Sequence, residues 1–264
     1  MTKIVGICLV HNDDIFLRRV LINALPFCDQ LLVADHQSTD GTAEICEEMA
    51  SSDSRLEYRR ISKPPQSHEW IENLAGKDNW IFGVDGDEIY DPIRLAEFRE
   101  EILSGKYNDY WQILGNVLHC DHLEGVHASG YLARPARSMT KLYNFSAIES
   151  WSGPCSERLH GGKVVYREGY DADCRLRLDD DCSFDDSPFR CLHTVFLPRS
   201  SSQPENLEAR PNIAEKIAYT PKEKLKAFVL GCFGRSLESR GKQSSYRRGK
   251  RVTRNVSEFF PSSQ

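Results

Sequence analysis

Residues 80–92 read WIFGVDGDEIYDP, an apolar run that ends in three acidic residues within four positions, with Gly86 after the first. A solvated turn can have this composition. So can a site for a hard cation, because Mg²⁺ and Mn²⁺ prefer oxygen ligands. Gly86 permits an unusual backbone angle and the close approach of a ligand. The run WIFGV predicts a buried strand, which would fix Asp85 and Asp87 at its end and favours the cation site.

Three further strand-like runs precede this one along the chain. They lie at residues 3–10, 31–34 and 55–61, and apolar residues at helical spacing occupy the intervals. This β-α-β-α-β-α-β order predicts an α/β fold, a doubly wound and mostly parallel sheet flanked by helices. Ligands of such sheets bind beyond the carboxyl ends of the strands. The stretches ADHQSTDGT and DGDE both begin where a predicted strand ends, so we expect them at the same edge.

Capping residues and prolines set the limits of the predicted helices. Asn12 or Asp13 is suited to cap the first helix, and Pro26 would end it. The residues at its inner face are Ile15, Phe16, Val20 and Leu21. Pro92 suits the first turn of a later helix that runs to about residue 104. The apolar positions of that helix are Ile93, Leu95, Phe98, Ile102 and Leu103.

The composition bounds the class of protein. A chain of 264 residues with 40% hydrophobic residues has enough apolar side chains for one large domain or a domain with an appendage. A formal net charge of −5 argues against general nucleic-acid binding. The longest apolar stretches, about 7 to 8 residues, are far below the roughly 20 needed to span a bilayer, and the first run suits a buried strand better than a signal peptide.

The cysteines predict a reduced, cytosolic protein. There are nine, and no two form a Cys-x-x-Cys pair. A zinc site is a weak alternative, because the spacing of its candidate ligands is too loose for the usual structural patterns. These candidates are Cys174, Cys182, Cys191 and His193.

The second half of the chain is less regular. After YWQILGNVL (residues 110–118), short strands and loops are expected as far as about residue 196, a helical pattern returns at residue 214, and residues 235–254 are basic. Clusters of Lys and Arg attract anionic lipid headgroups. This basic tail therefore predicts either peripheral membrane contact or a solvated, disordered segment, and nucleic-acid binding is a weaker third interpretation.

The first acidic residue of VADHQSTDGT (residues 33–42) suggests the kind of ligand. Asp35 ends the second predicted strand, where doubly wound folds commonly place an acid that accepts hydrogen bonds from a nucleoside. A simple strand–turn–helix connection is the alternative. The motif resembles VVDNGSTDGT of glycosyltransferase family 2, GVDGDE resembles that family's LDADE, and residues 4–13 resemble its first strand. WSGPCSERLHGG is similar to the W-x-G-x-x-H-E segment of a branch that includes bacterial lipopolysaccharide-core sugar transferases.

The resemblance implies a GT-A fold, a nucleotide-sugar donor with UDP-sugars favoured, Mn²⁺ or Mg²⁺, and inversion at the anomeric carbon. By position, Asp35 would hold the uracil or ribose, and Val10 and His11 would lie against the nucleotide through their backbone, with Ser38 in the same turn. Asp85 and Asp87 would bind the metal and the diphosphate.

Further site residues are expected beyond the acidic turn. An inverting transfer needs a general base, and Glu157 is the first candidate. His193 is a candidate third metal ligand, and Trp151 would either stack on a sugar or belong to the core. The rival bases are Asp121, Asp171 and Asp173, and the candidate contacts for the diphosphate or an anionic acceptor are Arg134, Arg137 and Arg199.

Together these features predict a cytoplasmic glycosyltransferase, and one interpretation of its basic tail adds peripheral contact with the inner face of a membrane. It would bind a nucleotide-sugar and a glycan or lipid-linked acceptor, with no nucleic acid, and act in cell-surface polysaccharide synthesis. We expect a nucleotide-sugar-binding half at residues 1–105, a metal-completing and acceptor-binding half at 106–213, and a C-terminal helix and tail at 214–264. A non-catalytic sugar-nucleotide or glycan-binding protein and a nucleotidylyltransferase are the alternatives. The latter would need a Gly-rich, basic loop where this chain has the sequence HNDD.

Overall fold

The computed structural model describes residues 1–132, 141–202 and 246–261. These residues form a seven-stranded sheet, a five-stranded sheet and a two-stranded hairpin. The elements of the first half are β1 (Lys3–Val10), α1 (Leu17–Ala24), a 3₁₀ turn (Leu25–Phe27), β2 (Gln30–Asp35), α2 (Thr42–Ser52), β3 (Leu56–Arg60), α3 (Gln66–Glu72), β4 (Asn79–Asp85), β5 (Glu88–Tyr90) and α4 (Pro92–Leu103).

Strands dominate the second half of the described chain. They are β6 (Gln112–Leu114), β7 (Asn116–Glu124), β8 (His127–Leu132), β9 (Lys141–Asn144), β10 (Ile148–Glu157), β11 (His160–Tyr166), β12 (Arg175–Arg177), β13 (Arg190–His193) and β14 (Lys250–Asn255), with a short helix α5 (Leu178–Asp181) and 3₁₀ turns at Phe145–Ala147 and Ser257–Phe259. Strands β10 and β11 pair as the separate hairpin.

The seven-stranded sheet has the order β12-β6-β9-β4-β1-β2-β3, and its strands β4, β1, β2 and β3 are parallel. Strand β9 enters antiparallel between β4 and β6. The predicted mostly parallel α/β sheet is therefore confirmed. At the carboxyl end of β1, Val10 pairs with Asp35 and Leu9 pairs with Asp85. The two motifs thus meet at one edge of the sheet, as their positions after strands predicted.

The five-stranded sheet has the order β14-β8-β7-β13-β5. Its strand β5 follows β4 after only Gly86 and Asp87, so the chain passes from one sheet to the other at the acidic turn. The same turn therefore supplies the cation-site candidates and joins the two sheets.

Both faces of the central sheet are covered, which explains the continuous apolar runs. Along β1, Ile4, Cys8 and Val10 face the cluster that contains α1 and α4. Val5 and Ile7 face the opposite cluster, beside α3 and the β10–β11 hairpin. In the first cluster the aromatic rings of Phe27 and Phe82 meet edge to face at 5.1 Å. The core thus holds the strand ends, and the side chains beyond them, in fixed positions.

The start of α1 differs from the prediction. The helix begins at Leu17, after Asn12 and Asp13 have been used to hold other loops. Asn12 Oδ1 accepts a hydrogen bond from Thr39 N at 2.7 Å, and Asp13 Oδ2 accepts one from His11 N at 3.0 Å. Ile15, expected on the inner face, is 45% exposed. The cap prediction was wrong because these polar side chains serve tertiary contacts.

Helix α4 begins at Pro92 as predicted. Asp91 caps it by accepting hydrogen bonds from Ile93 N and Arg94 N, at 3.0 and 3.1 Å. Leu95, Phe98 and Ile102 are buried in the core. Ile93, expected among them, is 56% exposed.

The described C-terminal segment is structured. β14 pairs antiparallel with β8, and its Arg251 binds Asp121 of β7 at 2.9 Å. Val256 and Phe259 beyond it are fully buried. In this part, the basic stretch is an edge strand of the sheet, so the solvated-tail interpretation does not apply to it.

The remainder of the predicted tail and the helical pattern from residue 214 lie outside the described residues. None of the helices formed by the described residues is long and apolar enough to cross a bilayer.

Candidate active site

The DGDE turn lies at the corner between the two sheets, against the loop after β1. A Cβ added to Gly86 would lie 2.9 Å from Asp13 Oδ2, so a larger residue cannot stand here without moving Asp13. Asp13, Asp85 and Asp87 are thereby gathered around one position. Such a concentration of carboxylates requires nearby cations.

Arg158 provides the first of these cations. Its guanidinium is almost fully buried and pairs with Asp85 Oδ1. It also donates to two carbonyl oxygens of the central sheet, from Nε to Ile7 O at 3.1 Å and from Nη2 to Val84 O at 2.8 Å. Burial alone would raise the pKa of Asp85, but the charges of Arg158 and Lys141 outweigh it and the net shift is downward. Asp85 is therefore ionised and firmly held.

Arg199 is the second cation, and it lies at Asp87. Its Nη1 contacts Asp87 Oδ2, and its Nε lies 3.4 Å from Asp13 Oδ1. His193 Nε2 lies 3.6 Å from the same oxygen of Asp87. Burial would raise the pKa of Asp87, but Arg199 and His193 reverse that effect and hold it below its ordinary value. The predicted ligands Asp87 and His193 are thus brought together by the fold.

The segment that carries Arg199, residues 194–202, crosses the site as a strap. Thr194 N donates to Asp87 O at 2.9 Å, and Ile15 N donates to Arg199 O at 3.0 Å. Ser201 N donates to Asp14 Oδ1 at 2.7 Å, and Ser200 Oγ to Asp40 Oδ2 at 2.5 Å. These bonds tie the strap to the loops after β1 and β2 and to the acidic turn.

Asp35 lies behind the edge rather than on it. Its carboxylate is fully buried, with Oδ1 accepting from Ser38 N and Ser38 Oγ at 2.8 and 2.6 Å. Oδ2 accepts from Tyr58 Oη at 3.0 Å, and Arg60 Nε lies 3.6 Å away. Asp35 and Ser38 therefore build the turn after β2, and a direct contact with a nucleoside would require one of these bonds to be exchanged.

The backbone groups of the loop after β1 are also engaged. Val10 O accepts from His36 N at 2.9 Å, and His11 N donates to Asp13. The predicted backbone contacts of Val10 and His11 with a nucleotide thus compete with bonds inside the protein. The rings of His11 and His36 lie 5.5 Å apart and are partly exposed. Together with the half-exposed Arg60, these two rings form the solvent-accessible surface at this edge of the sheet.

Glu157 ends β10, next to Arg158. Its Oε1 lies 3.1 Å from His160 Nδ1, and the carboxylate is 12% exposed. Burial, followed by the charge of Lys141, lowers the pKa of His160 to about 4, so this imidazole is neutral at pH 7. A neutral His160 can donate its Nδ1–H toward Glu157 or toward Arg158 O, 3.0 Å away.

Lys141 and Glu88 each leave an unsatisfied polar atom in this region. Lys141 is 1% exposed, with its stem lying over Gly83 of β4. Its Nζ, like Glu88 Oε1, finds no hydrogen-bond partner in the part of the chain that the structure describes. Burial lowers the pKa of Lys141 and, with the charge of Asp85, raises that of Glu88. The two groups reduce each other's electrostatic cost at the acidic turn.

The rival bases have structural roles. Asp121 pairs with Arg251, and Asp171 Oδ1 accepts from Asp173 N and Cys174 N at 2.8 and 3.1 Å. Asp171 and Asp173 are exposed in this turn. Arg134 and Arg137 lie outside the described residues.

The sugar-stacking interpretation of Trp151 is corrected. Its indole is only 4% exposed and packs among Trp111, Tyr143 and Phe145. Nε1 donates to Gly161 O at 3.0 Å, which satisfies its polar atom inside the protein. Trp151 is therefore the core tryptophan that the sequence left as the alternative.

The residues supply part of a divalent-cation site, which the phosphates of a substrate would complete. Within residues 1–132, 141–202 and 246–261, no three His, Cys, Asp or Glu side chains are grouped as a metal site, and this applies to the zinc candidates as well. Asp87 and His193 alone approach each other, while Asp85 turns to Arg158. The guanidinium groups of Arg158 and Arg199 pair with the carboxylates of Asp85 and Asp87, so the acidic turn attracts positive charge. Mg²⁺ typically needs just one or two carboxylates plus substrate phosphates.

Four residues of this site were missed from the sequence, namely Lys141, Arg158, His160 and His119, which contacts His193. Lys141, Arg158 and His119 are buried polar side chains, and His160 is partly buried; all four lie in segments whose sequence is typical of an ordinary strand or loop. Arg158 and His160 lie within ERLH of the motif that suggested Glu157, which was the one usable signal. The sequence around Lys141 and His119 contained no such signal.

Comparisons with known proteins add little to this geometry. No protein-family model and no curated protein matches the sequence. Among solved structures, TarS of S. aureus is 15% identical, with a TM-score of 0.38 over 55% of this chain and 29% of that one. Glucosyl-3-phosphoglycerate synthase from Mycobacterium tuberculosis, in complex with Mn²⁺ and UDP-glucose, is 19% identical, with a TM-score of 0.33 over 45% of this chain and 44% of that one.

A third neighbour is 4-diphosphocytidyl-2C-methyl-D-erythritol synthase from Anaerococcus prevotii. It is 10% identical, with a TM-score of 0.33 over 55% of this chain and 70% of that one. The chain spans less than half the length of TarS and of the mycobacterial synthase. At these identities and TM-scores, the neighbours carry no argument about the activity of this protein.

Proposed function

We propose that the protein is a metal-dependent glycosyltransferase of GT-A type that transfers a sugar, with inversion, from a nucleoside-diphosphate donor to a hydroxyl acceptor. The observation that carries the proposal is the shared edge of β2, β1 and β4. Asp35 and Asp85 end strands on either side of β1. Two inter-strand spacings separate them, about 10 Å. This span suits a nucleoside on the β2 side with its diphosphate at the acidic turn.

Asp87 and His193 would hold the divalent cation, with Asp85 beside them. When bound, such a cation neutralises the charge that develops on a diphosphate leaving group. Arg199 matches the same group, because a guanidinium binds phosphate oxygens in a planar, bidentate manner. In the proposed donor complex, Arg199 moves from Asp87 to the diphosphate and leaves Asp87 to the cation.

The nucleoside would lie against His11, His36 and Arg60, the outward-facing groups beside Asp35. In this arrangement Asp35 acts mainly by fixing the Ser38 turn. A direct bond from its carboxylate to a uracil or ribose would replace the bond from Tyr58. UDP is the first nucleotide to test, since the resemblance of VADHQSTDGT favours it.

Glu157 is the proposed general base. Its neighbour Arg158 binds Asp85, so consecutive residues join the candidate base to the donor side of the site. A neutral His160 can orient Glu157 by a hydrogen bond from its Nδ1–H. A carboxylate so placed can take the proton of an acceptor hydroxyl as the new bond forms.

One observation favours a second function, a sugar-nucleotide-binding protein without catalysis. Both carboxylates of the acidic turn are paired with arginines. These pairs would allow a nucleotide to bind through Arg199 with no metal. Donor hydrolysis separates the two functions, because a binding protein has no turnover.

The test is a panel of nucleotide-sugars, first in thermal-shift assays with Mn²⁺ and then in assays of donor hydrolysis. We expect one donor to raise the melting temperature and to be hydrolysed slowly, with water replacing the acceptor. Asp87→Asn should abolish that hydrolysis, and Asp185→Asn, at a surface acid paired with Arg254, is the matched control. Donor binding without any Mn²⁺-dependent turnover would favour the binding protein.

Glu157→Gln tests the base in the same assay. General-base catalysis contributes typically 10²- to 10⁴-fold, so hydrolysis should fall by about that factor while donor affinity is kept. Unchanged turnover would remove Glu157 from the proposal and leave the donor site standing.

The acceptor is proposed to be a glycan or lipid-linked molecule of cell-surface polysaccharide synthesis, with the enzyme in the cytoplasm at the inner face of a membrane. What supports this is the basic C-terminal stretch, of which Arg248 and Lys250 are exposed.

A further inference from the structure

His193 has a second imidazole behind it. His119 of β7 and His193 of β13 are register partners in two parallel strands, and their Nδ1 atoms lie 2.9 Å apart. The rings meet edge to face, with centroids 5.1 Å apart. On its far side, His193 presents Nε2 to Asp87 at 3.6 Å. Asp87, His193 and His119 therefore form a line from the acidic turn into the core.

A hydrogen bond between two Nδ1 atoms needs a single proton, which is bonded to one of the two rings. Which ring carries that proton determines whether each Nε2 is protonated. If His119 owns it, a neutral His193 must carry its own proton on Nε2, facing Asp87. If His193 owns it, Nε2 of His193 has a bare lone pair. Only the second arrangement can bind a cation, since metals bind the unprotonated nitrogen.

Apart from His193, the surroundings of His119 do not determine which of its two ring nitrogens carries the proton. The ring is fully buried, and a neutral imidazole carries a single ring proton. Its Nε2 finds no hydrogen-bond partner among the described residues, so no competing bond fixes the tautomer. Tyr246 stacks on the ring with centroids 4.6 Å apart, which fixes the orientation of the plane.

We propose that His119 is a positioning residue that accepts the Nδ1–H of His193 and thereby holds His193 Nε2 proton-free toward Asp87 for a divalent cation. The inference rests on the proposed function, because it concerns the cation of that site. His119 touches neither donor nor cation in this arrangement. It acts by accepting the Nδ1–H of His193, which leaves Nε2 of that ligand unprotonated, as hydrogen-bonded partners of metal-binding histidines do.

The first test measures Mn²⁺ affinity in the presence of UDP, from the electron paramagnetic resonance signal of free Mn²⁺. His119→Leu removes the acceptor, and affinity should fall by about 10- to 100-fold. His119→Asn restores an acceptor oxygen where Nδ1 stood, and affinity should return to within a few-fold of the wild type. The matched controls are His122→Leu and His122→Asn, at an exposed position of the same strand. Equal affinity of His119→Leu and the wild type would overturn the proposal.

The second test needs no variant and remains decisive if His119→Leu does not fold. In the wild-type complex with Mg²⁺ and UDP, ¹⁵N-labelled histidine reports which ring nitrogens carry protons by NMR. We expect the proton on Nδ1 of His193 and on Nε2 of His119. A proton on Nδ1 of His119 would contradict the proposal.

The outcomes separate this inference from the proposed function. If Mn²⁺ binding is lost in Asp87→Asn but unaffected in His119→Leu, the metal site stands and the positioning role falls. If the wild type with UDP binds no Mn²⁺, the metal-dependent function and the positioning role fall together.

Discussion

At the scale of single residues, the acidic turn depends on two arginines that come from distant parts of the chain. Arg158 is 73 positions from Asp85, and Arg199 is 112 positions from Asp87. An unpaired buried carboxylate is costly, and removing one partner of a buried pair typically costs about 3 to 5 kcal/mol. The arginines therefore let the turn hold its carboxylates when no cation is present.

Arg199→Gln should bind Mn²⁺ more tightly than the wild type when no nucleotide is present. Arg199 and a cation compete for Asp87, and glutamine removes the competitor without changing the charge of Asp87. We expect about a tenfold gain in affinity, measured by isothermal titration calorimetry. The same variant should bind UDP more weakly, because the diphosphate loses its guanidinium.

The control for this exchange is Arg251→Gln, which breaks the surface pair with Asp121. It should leave both affinities unchanged. Weaker Mn²⁺ binding in Arg199→Gln would mean that Arg199 supports the cation rather than competing with it.

At this scale the carboxylates could be predicted at the sheet edge, whereas Arg158 was not expected at Asp85 and Arg199 was expected at a diphosphate or anionic acceptor rather than at Asp87. Asp85 and Asp87 follow a readable strand, so their place at the sheet edge was predictable. A buried arginine such as Arg158 has no local pattern, because only the complete fold brings it to the carbonyls of Ile7 and Val84. Trp151 shows the same limit, since a core indole and a sugar platform have the same sequence.

At the scale of elements, Asp91 links the start of α4 to the five-stranded sheet. It caps the helix through Oδ1, and its Oδ2 accepts from Nε and Nη2 of the buried Arg190 at 3.1 and 2.7 Å. Arg190 also binds Glu258 of the C-terminal segment at 3.1 Å. One carboxylate therefore serves a helix terminus and a buried ion pair together.

Asp91→Ala should lower the free energy of unfolding by about 4 kcal/mol, since it removes a cap worth about 1 and leaves a buried guanidinium without this partner. Asp91→Asn keeps the cap and weakens the ion pair, so it should cost less. Urea denaturation measures both. Equal losses in the two variants would show that the cap contributes nothing.

How well each helix or strand could be predicted depends on how clear its hydrophobic pattern is in the sequence. Strands β1, β2 and β4 are buried on both faces, and their apolar runs predicted them well. The start of α1 was wrong because Asn12 and Asp13, good capping residues by type, bind the loops around them instead. Strand β14 is polar and lies at an edge, so its sequence resembled a solvated tail.

At the scale of the whole molecule, the C-terminal segment closes the core. Phe259 is fully buried, and Asn23 Nδ2 donates to Phe259 O at 2.8 Å and to Tyr90 O at 2.7 Å. The end of the described chain is thereby tied to α1 and β5. The described C-terminal segment, residues 246–261, is therefore an integral part of the fold.

Phe259→Ala should lower the free energy of unfolding by about 3 to 5 kcal/mol, as for other buried phenylalanines. Phe260→Ala is the matched control at the next position, where the ring is partly exposed near Arg19. Its loss should be clearly smaller in the same denaturation experiment. Similar losses would show that Phe259 is not part of a tightly packed core.

Membrane contact should be tested by charge removal rather than by truncation, which would destroy β14. We expect the wild type to float with vesicles rich in phosphatidylserine. Arg248→Ser with Lys250→Ser should bind about 30-fold more weakly, at about 1 kcal/mol for each charge. Equal flotation of both proteins would exclude these two residues as the contact.

The contribution of His119 to stability should fall when the pH is lowered from 7 to 5. Burial lowers the pKa of His119 from about 6.5, the ordinary value, to about 2 in the folded protein. Between these values, the unfolded chain binds a proton that the folded protein does not. The stabilisation is complete above pH 6.5 and decreases by up to about 1.4 kcal/mol per pH unit below it. His160, with a pKa of about 4, acts in the same direction.

His119→Asn should flatten this dependence, with a difference of about 2 kcal/mol between pH 6.5 and pH 5 relative to the wild type. Denaturation at several pH values measures it, with His122→Asn as the control. An unchanged slope would show that His119 takes up a proton in the folded protein.

The two-residue passage from β4 to β5 also limits how this chain can vary in length. An inserted residue at Gly86 would lengthen the path by about 3.3 Å and, because side chains alternate along a strand, would turn every side chain of β5 to the opposite face. Tyr90, now packed against Phe82, would then face away from the core. Insertions and deletions between homologues should therefore be absent at this corner. They should collect instead at places such as the turn between β7 and β8, where a Cβ added to Gly125 would meet nothing within 4 Å.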